Sequence, residues 1–214
     1  MQVLLLLAHA DDETLGAGGT VQKLIAKGHS VQLIIVSDGV VALRDGAPNN
    51  RSALMAACKL LGIGDVQCLD FADQRFETYP IAEIANRVSQ SIQQPDLIIT
   101  HSAKDLNQDH RIVSEVARII GRPRHRQIGL LACEIPCVAQ WNQQPFAPQL
   151  YIDITEQLEK KIRAFECYQN EVRRFPDPYS AEGLRTIARF RGIESGYEAA
   201  EAFEVVRWFE GLEL

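Results

Sequence analysis

The chain has 214 residues, a net charge of -6 and a pI near 5.4. That length suits one α/β domain with a sizeable core, and the acidic balance excludes a general nucleic-acid or anionic-membrane binder, which needs a concentrated basic surface. Five cysteines without a CxxC pair suit reduced, buried thiols better than a disulfide framework or a thiolate zinc site.

The first element is the apolar run Val3 to Ala8, a short buried strand. It is too short to span a membrane and no basic stretch precedes it, so neither a membrane span nor a signal peptide is expected and the expected location is the cytoplasm. The run hands over to a helix at Thr14 to Ala26 through AHADDETLGAGG, residues 8 to 19. Gly28 ends that helix, and Val31 to Val36 is a second strand. Val40 to Asn50, with Asp45-Gly46 and Pro48, reads as a long surface loop of the kind that borders active sites. Arg51 to Leu61 is helical, Val66 to Leu69 a third strand, Pro80 to about Gln93 a helix, and Leu97 to Thr100 a fourth strand.

HSAKDLNQDH, residues 101 to 110, is a polar loop feeding a helix whose apolar positions Ile112, Val113, Val116, Ile119 and Ile120 keep helical spacing. RPRHR at 122 to 126 reads as a solvated turn after it. Ile128 to Cys133 is a fifth strand, 134 to 149 a Pro/Gln-rich loop with Trp141, and Leu150 to Ile154 a short strand. Thr155 caps a helix to about Gln169, and Ser180 to Arg191 is another. Ala202 to Trp208 reads as a closing strand, although AEAFEVVRWFE also admits a helix. Five strand-helix alternations without repeat or linker predict one domain over 1–214, with a doubly wound, mostly parallel sheet and helices on both faces. In the common order its first and fourth strands are neighbours and the crevice lies between their carboxyl ends.

His9, Asp11 and Asp12 sit at that crevice. One carboxylate there would serve as a helix cap, stabilising the N-terminus by about 0.3 to 1 kcal/mol. Two repel each other, and a histidine adds nothing to a cap. A divalent metal accounts for all three: His9 and Asp12, three residues apart, supply N and O ligands, and Asp11 is left to act on a metal-bound water. The short motif alone leaves cap and metal open, and a second histidine decides. His110, at the mouth of the helix after the fourth strand, emerges across the same crevice, and two His with one Asp leave an open coordination position.

These motifs resemble the LmbE-like, or PIG-L, family of zinc-dependent N-acetylglucosamine deacetylases along nearly the whole chain. AHADDE is similar to the family's AHPDDE, with Ala10 in place of its proline; HSAKDLNQDH is similar to its second histidine motif; CEIP, YIDIT with KKIRAF, and RG followed by GYEAAEAF are similar to its C-terminal half. The resemblance implies zinc ligands His9, Asp12 and His110, Asp11 as general base, and one Zn2+ per chain, with Fe2+ an alternative for a two-His, one-carboxylate set. It implies Asp109 as the partner that orients His110. Where many members carry a histidine three residues before the last ligand, this chain has Asn107, which leaves proton return to Asp11 or to His101. Arg51 and Asp73 are similar to family positions near the sugar pocket, and Trp141 is the expected wall for the sugar face.

The implied reaction is hydrolysis of an N-acetyl or N-acyl amide on a small amino-sugar conjugate. No nucleic-acid partner is implied, and homo-oligomerisation is left open. Two rivals stand beside it. Gly16, Gly18 and Gly19 after a strand, with Asp38 ending the next, point to a nucleotide-cofactor enzyme, but position 21 is Val21 and the two aspartates would repel a pyrophosphate. A catalytically silent sugar-binding member of the same fold is the other.

Overall fold

The computed structural model describes residues 1–39 and 49–214. Of the loop expected over Val40 to Asn50, only Asn49 and Asn50 are therefore among the described residues.

The sheet is built around β1 (Gln2–Leu7), which lies parallel between β2 (Ser30–Ser37) and β4 (Leu97–His101). Its side chains are buried on both faces: Val3, Leu5 and Leu7 join one core, Leu4 and Leu6 the other. A strand covered on both faces needs no polar alternation, which is why the sequence there is a continuous apolar run. β3 (Asp65–Phe71) extends the parallel sheet beyond β2, and β5 (Gly129–Cys133) extends it beyond β4. β6 (Leu150–Asp153) and β7 (Ala200–Arg207) complete a seven-stranded sheet in the order β3-β2-β1-β4-β5-β7-β6, with β7 antiparallel to both neighbours. The closing segment is thus a strand, with Phe203 opposite both Cys133 and Leu150. The first and fourth strands are adjacent, as the doubly wound order requires.

α1 (Asp12–Ala26), α2 (Arg51–Leu61), α5 (Leu158–Phe165) and α6 (Ala181–Ser195) cover one face. α3 (Ile81–Ser91) and α4 (Gln108–Ile120) cover the other. The glycines of α1 serve close approach and no phosphate: a Cβ on Gly16 would stand 2.6 Å from Cys133 Sγ, and one on Gly19 2.6 Å from Ile154 Cγ2. Among the described residues no helix is long and apolar enough to cross a membrane.

α1 breaks at Ala17 (φ -146°), and the break exposes backbone groups in the interior that need partners. Glu201 on β7 accepts from the Gly19 and Thr20 N–H groups (2.9 and 2.7 Å), while Lys161 on α5 donates to the Leu15 carbonyl (2.9 Å) and to Glu201 (2.5 Å). This buried pair closes both ends of the break and fixes the first turn of α1, which carries Asp12.

α5 ends at Phe165, short of the expected Gln169, and Gln157 rather than Thr155 precedes it. Thr155 instead donates its hydroxyl to Asp153 (2.7 Å). The chain then runs irregularly to Ser180, whose Oγ accepts from the Gly183 N–H (3.0 Å) and caps α6. That irregular segment supplies part of the site.

Candidate metal centre and active site

The carboxyl ends of β1 and β4 bring two loops together, and His9 meets His110 across them. His9 Nδ1 lies 3.1 Å from His110 Nε2 and 3.7 Å from Asp12 Oδ2, and His110 Nε2 lies 3.5 Å from Asp12 Oδ1. Three tetrahedral ligands at zinc bond lengths are about 3.3 Å apart, so the spacing of these donor atoms fits a single divalent ion. Asp12 is 1 % exposed and His110 2 %.

Neither aspartate caps α1. Asp11 occupies the cap position without a side-chain cap bond, and Asp12 Oδ2 accepts from the N–H of His9 (2.8 Å), outside the helix. Asp11 has φ 126°, ψ -29°, a backbone conformation that costs a non-glycine residue about 1 to 3 kcal/mol and is found where the surroundings impose it. Here they do: its N–H donates to Glu13 Oε2 (3.1 Å), and its carbonyl accepts from the Thr14 and Leu15 N–H groups and the Thr14 hydroxyl. Burial, then the neighbouring Asp12 carboxylate, push the Asp11 carboxyl well above the usual range. For Asp12 burial acts in the same direction, but the imidazoles of His110, His101 and His9 overcome it and hold the carboxyl low. Burial opposes charge on His110, yet Asp12 and Asp105 outweigh it and raise that imidazole to about 9.

The orienting partners differ from expectation. Asp109 does not face His110. Its Oδ2 stands 3.2 Å from His9 Nε2, and it also accepts from the backbone N–H groups of Gln74 (2.8 Å) and Phe76 (3.2 Å). The residue facing His110 is Asp105, with Oδ2 3.1 Å from Nδ1. Each histidine thus presents one nitrogen to the ion site and the other to a carboxylate, the usual support of a ligating imidazole. Asp73 Oδ1 stands 3.1 Å from the same His9 nitrogen as Asp109, and with a proton on Nε2 both carboxylates orient His9 so that Nδ1 faces His110 and Asp12. Asp105→Asn is expected to weaken metal affinity about 10- to 100-fold, read by competition with a chromophoric chelator; unchanged affinity would remove Asp105 from this role.

A cavity of about 180 Å³ opens over the cluster, lined by His9, Asp11, Asp12 and His110 at one end. Asp73 and Asn107 line it as well. Asn107 caps α4, its Oδ1 accepting from the Asp109 N–H (2.9 Å). Three expected residues lie elsewhere. His101 is fully buried, stacked on His110 (centroids 3.9 Å apart), with Nε2 accepting from the Ala8 N–H (2.9 Å). Burial and then His110 lower its basicity, and it does not reach the cavity to return a proton. Trp141 is 63 % exposed and outside the lining. Arg51 is exposed, its Nε donating to the Asp38 carbonyl (3.0 Å). Conversely, sequence reading missed Gln74, Asn50, Glu171 and Tyr179, all cavity residues. Only Gln74, beside Asp73, and Asn50, in the long loop, carried a sequence signal.

Glu13, the last residue of the AHADDE motif, is the hidden support. Fully buried, it accepts from the strained Asp11 N–H with one oxygen and from the Tyr168 hydroxyl (2.6 Å) with the other. Burial raises its carboxyl from 4.5 to about 7, against the opposing hydrogen bond from Tyr168. Across that window the folded chain holds a proton that the unfolded chain releases, so stability falls as pH rises. The full contribution is about 3 kcal/mol. Glu13→Gln, which cannot ionise, is expected to make this slope shallower in urea-unfolding data on metal-free protein; an unchanged slope would contradict it.

A diacetylchitobiose deacetylase of Thermococcus kodakarensis is 26% identical over 230 residues, covering 96% of this chain and 83% of the relative. A probable N-acetyl-alpha-D-glucosaminyl L-malate deacetylase 2 of Bacillus cereus is 31% identical over 186 residues, covering 79% and 83%. A 4-oxalmesaconate hydratase of Pseudomonas putida is 26% identical over 190 residues, covering 77% and 71%. Among solved structures, the N,N'-diacetylchitobiose deacetylase of Pyrococcus horikoshii superposes with a TM-score of 0.76 at 21% identity, covering 96% of this chain and 83% of that one, which speaks to the fold. Residues 4–120, more than half of the chain and the part that carries His9, Asp11, Asp12 and His110, match the model of the family described as PIG-L, GlcNAc-PI de-N-acetylase, and the chain belongs to that family.

Proposed function

We propose that the protein is a metal-dependent amidohydrolase that removes an acetyl or related acyl group from the amino group of an N-acetylglucosamine-type sugar. The observation that carries this reading is the open set of His9 Nδ1, Asp12 and His110 Nε2 at the end of a cavity that Asp11 also lines, in a chain whose relatives are named for removing acetyl groups from glucosamine-type sugars.

His9, Asp12 and His110 hold the ion; zinc suits the two-nitrogen, one-oxygen set, and Fe(II) occupies the same kind of site. When bound, a divalent ion lowers the pKa of water and polarises the amide oxygen. Asp11, next in sequence to the ligand Asp12 but not itself a ligand, takes the proton of the attacking water. With His101 closed off behind His110, Asp11 also returns that proton to the departing amine. Asp109 and Asp105 keep the two imidazoles aimed at the ion, and Glu13 holds the Asp11 backbone in place. Asn107 takes no proton; it fixes the start of α4 one turn before His110.

The relative named as a hydratase sets a second reading, water addition to an unsaturated carboxylate. Asp11, a candidate base lining the cavity beside His9, Asp12 and His110, suits attack of water on an amide and favours the deacetylase. The test is incubation with N,N'-diacetylchitobiose and with 4-oxalmesaconate. Acetate and a free amine in equal amounts are expected from the first and no change in the second; hydration of the second without acetate from the first would reverse the assignment.

A further inference from the structure

We propose that His101 is a positioning residue for the metal centre: its buried imidazole holds the peptide ahead of His9 with one nitrogen and the plane of the His110 ring with its face, and so sets the spacing at which the ligands meet. The inference rests on the ion site proposed above and is independent of the substrate that site acts on.

His101 is the last residue of β4, and strand alternation puts it on the face of Leu97 and Ile99, which belong to the core under α1. A leucine would fill such a position at no polar cost, whereas an imidazole with no exposed surface needs a partner to justify it. The end of the sheet supplies one. The paired residues of β1 and β4 stop at Leu5 and Ile99, and beyond them the Ala8 N–H donates to the His101 side chain, reaching Nε2 at 2.9 Å. On its other side the Ala8 carbonyl accepts from the Ser37 N–H of β2 (2.9 Å). The peptide that leads into His9 is thereby held from both neighbouring strands.

An N–H donates only to a ring nitrogen without a proton, so Nε2 of His101 is bare and the ring proton is on Nδ1. Nδ1 has no hydrogen-bond partner among the described residues, and Nε2, 3.4 Å from Asp12 Oδ2, has no proton to give that carboxylate. His101 therefore acts on the ligands through its position alone. Its second contact is with His110, whose ring lies nearly parallel to it (12°) with centroids 3.9 Å apart. Asp105, 3.1 Å from His110 Nδ1, fixes one point on that ring, and a ring held at one point still turns about the line to its partner. The His101 face removes that turn. Together the contacts hold His110 Nε2 3.1 Å from His9 Nδ1, close to the separation that two ligands of one zinc ion take.

Two substitutions separate the contacts. His101→Gln keeps an acceptor for the Ala8 N–H and loses the flat ring; His101→Phe keeps a ring and loses the acceptor. Each is loaded with Co(II), whose visible absorption reports coordination geometry, and its zinc affinity is measured against a chromophoric chelator. Both variants are expected to bind zinc about 10-fold or more weakly and to show altered cobalt bands, with far-UV circular dichroism unchanged. A lower urea midpoint with the cobalt bands and zinc affinity of the unaltered protein overturns the proposal, because His101 then only fills the core. Unchanged bands and affinity with lost turnover also overturn it, since His101 then acts as a proton donor. Histidine ring 15N spectra of the zinc-loaded, unaltered enzyme give a test that needs no variant to fold: a proton on Nδ1 of His101 and none on Nε2 is expected, and the reverse overturns the proposal. Unaltered protein that binds neither zinc nor cobalt overturns the ion site itself and this inference with it.

Discussion

Asp11→Asn is expected to keep the metal near the wild-type level and to lose about 100- to 10,000-fold in turnover, because an amide cannot accept the proton of the attacking water. The separation follows from the geometry. Asp12 contributes the oxygens that face His9 Nδ1 and His110 Nε2 (3.7 and 3.5 Å), whereas Asp11 lines the cavity from the strained position ahead of α1. Asp12→Asn should behave differently, with weakened metal binding and activity that added metal partly restores. Metal content and rate measured on the same preparations distinguish the two. Near-normal turnover by metal-loaded Asp11→Asn would exclude Asp11 as the base.

The second large effect is loss of the ion itself. His9→Ala or His110→Ala leaves two of the three proposed ligands, and each is expected to remove most bound metal and with it the activity. Elemental analysis after dialysis reads the result directly. Full occupancy in either variant would mean that the ion sits elsewhere. Full occupancy by iron in anaerobically purified wild-type protein would replace zinc without disturbing the ligand set.

The chain order of strands and helices was legible because the sheet is parallel and buried on both faces. Its strands are apolar runs such as Val3 to Ala8, and its outer helices keep helical spacing. Adjacency of β1 and β4 followed from the doubly wound order, and with it the meeting of His9 and His110. The orienting carboxylates were not legible. Asp109 and His110 are neighbours in α4, and consecutive helical residues project about 100° apart. Asp109 therefore turns toward His9 and the Gln74 backbone, leaving Asp105 in the preceding loop to face His110. Glu171 and Tyr179 reach the cavity from the irregular stretch between α5 and α6, where no periodicity marks a direction. Trp141, the expected wall on the 134–149 loop, lies outside the cavity lining with its ring 63 % exposed.

The central claim is that one ion held by His9, Asp12 and His110 makes this chain a sugar N-deacetylase. Its most direct test is zinc titration of chelator-stripped protein while acetate release from N,N'-diacetylchitobiose is followed. The predicted curve rises from no activity to a break at one equivalent per chain. Acetate release by the stripped protein, or none at any zinc level, would contradict it.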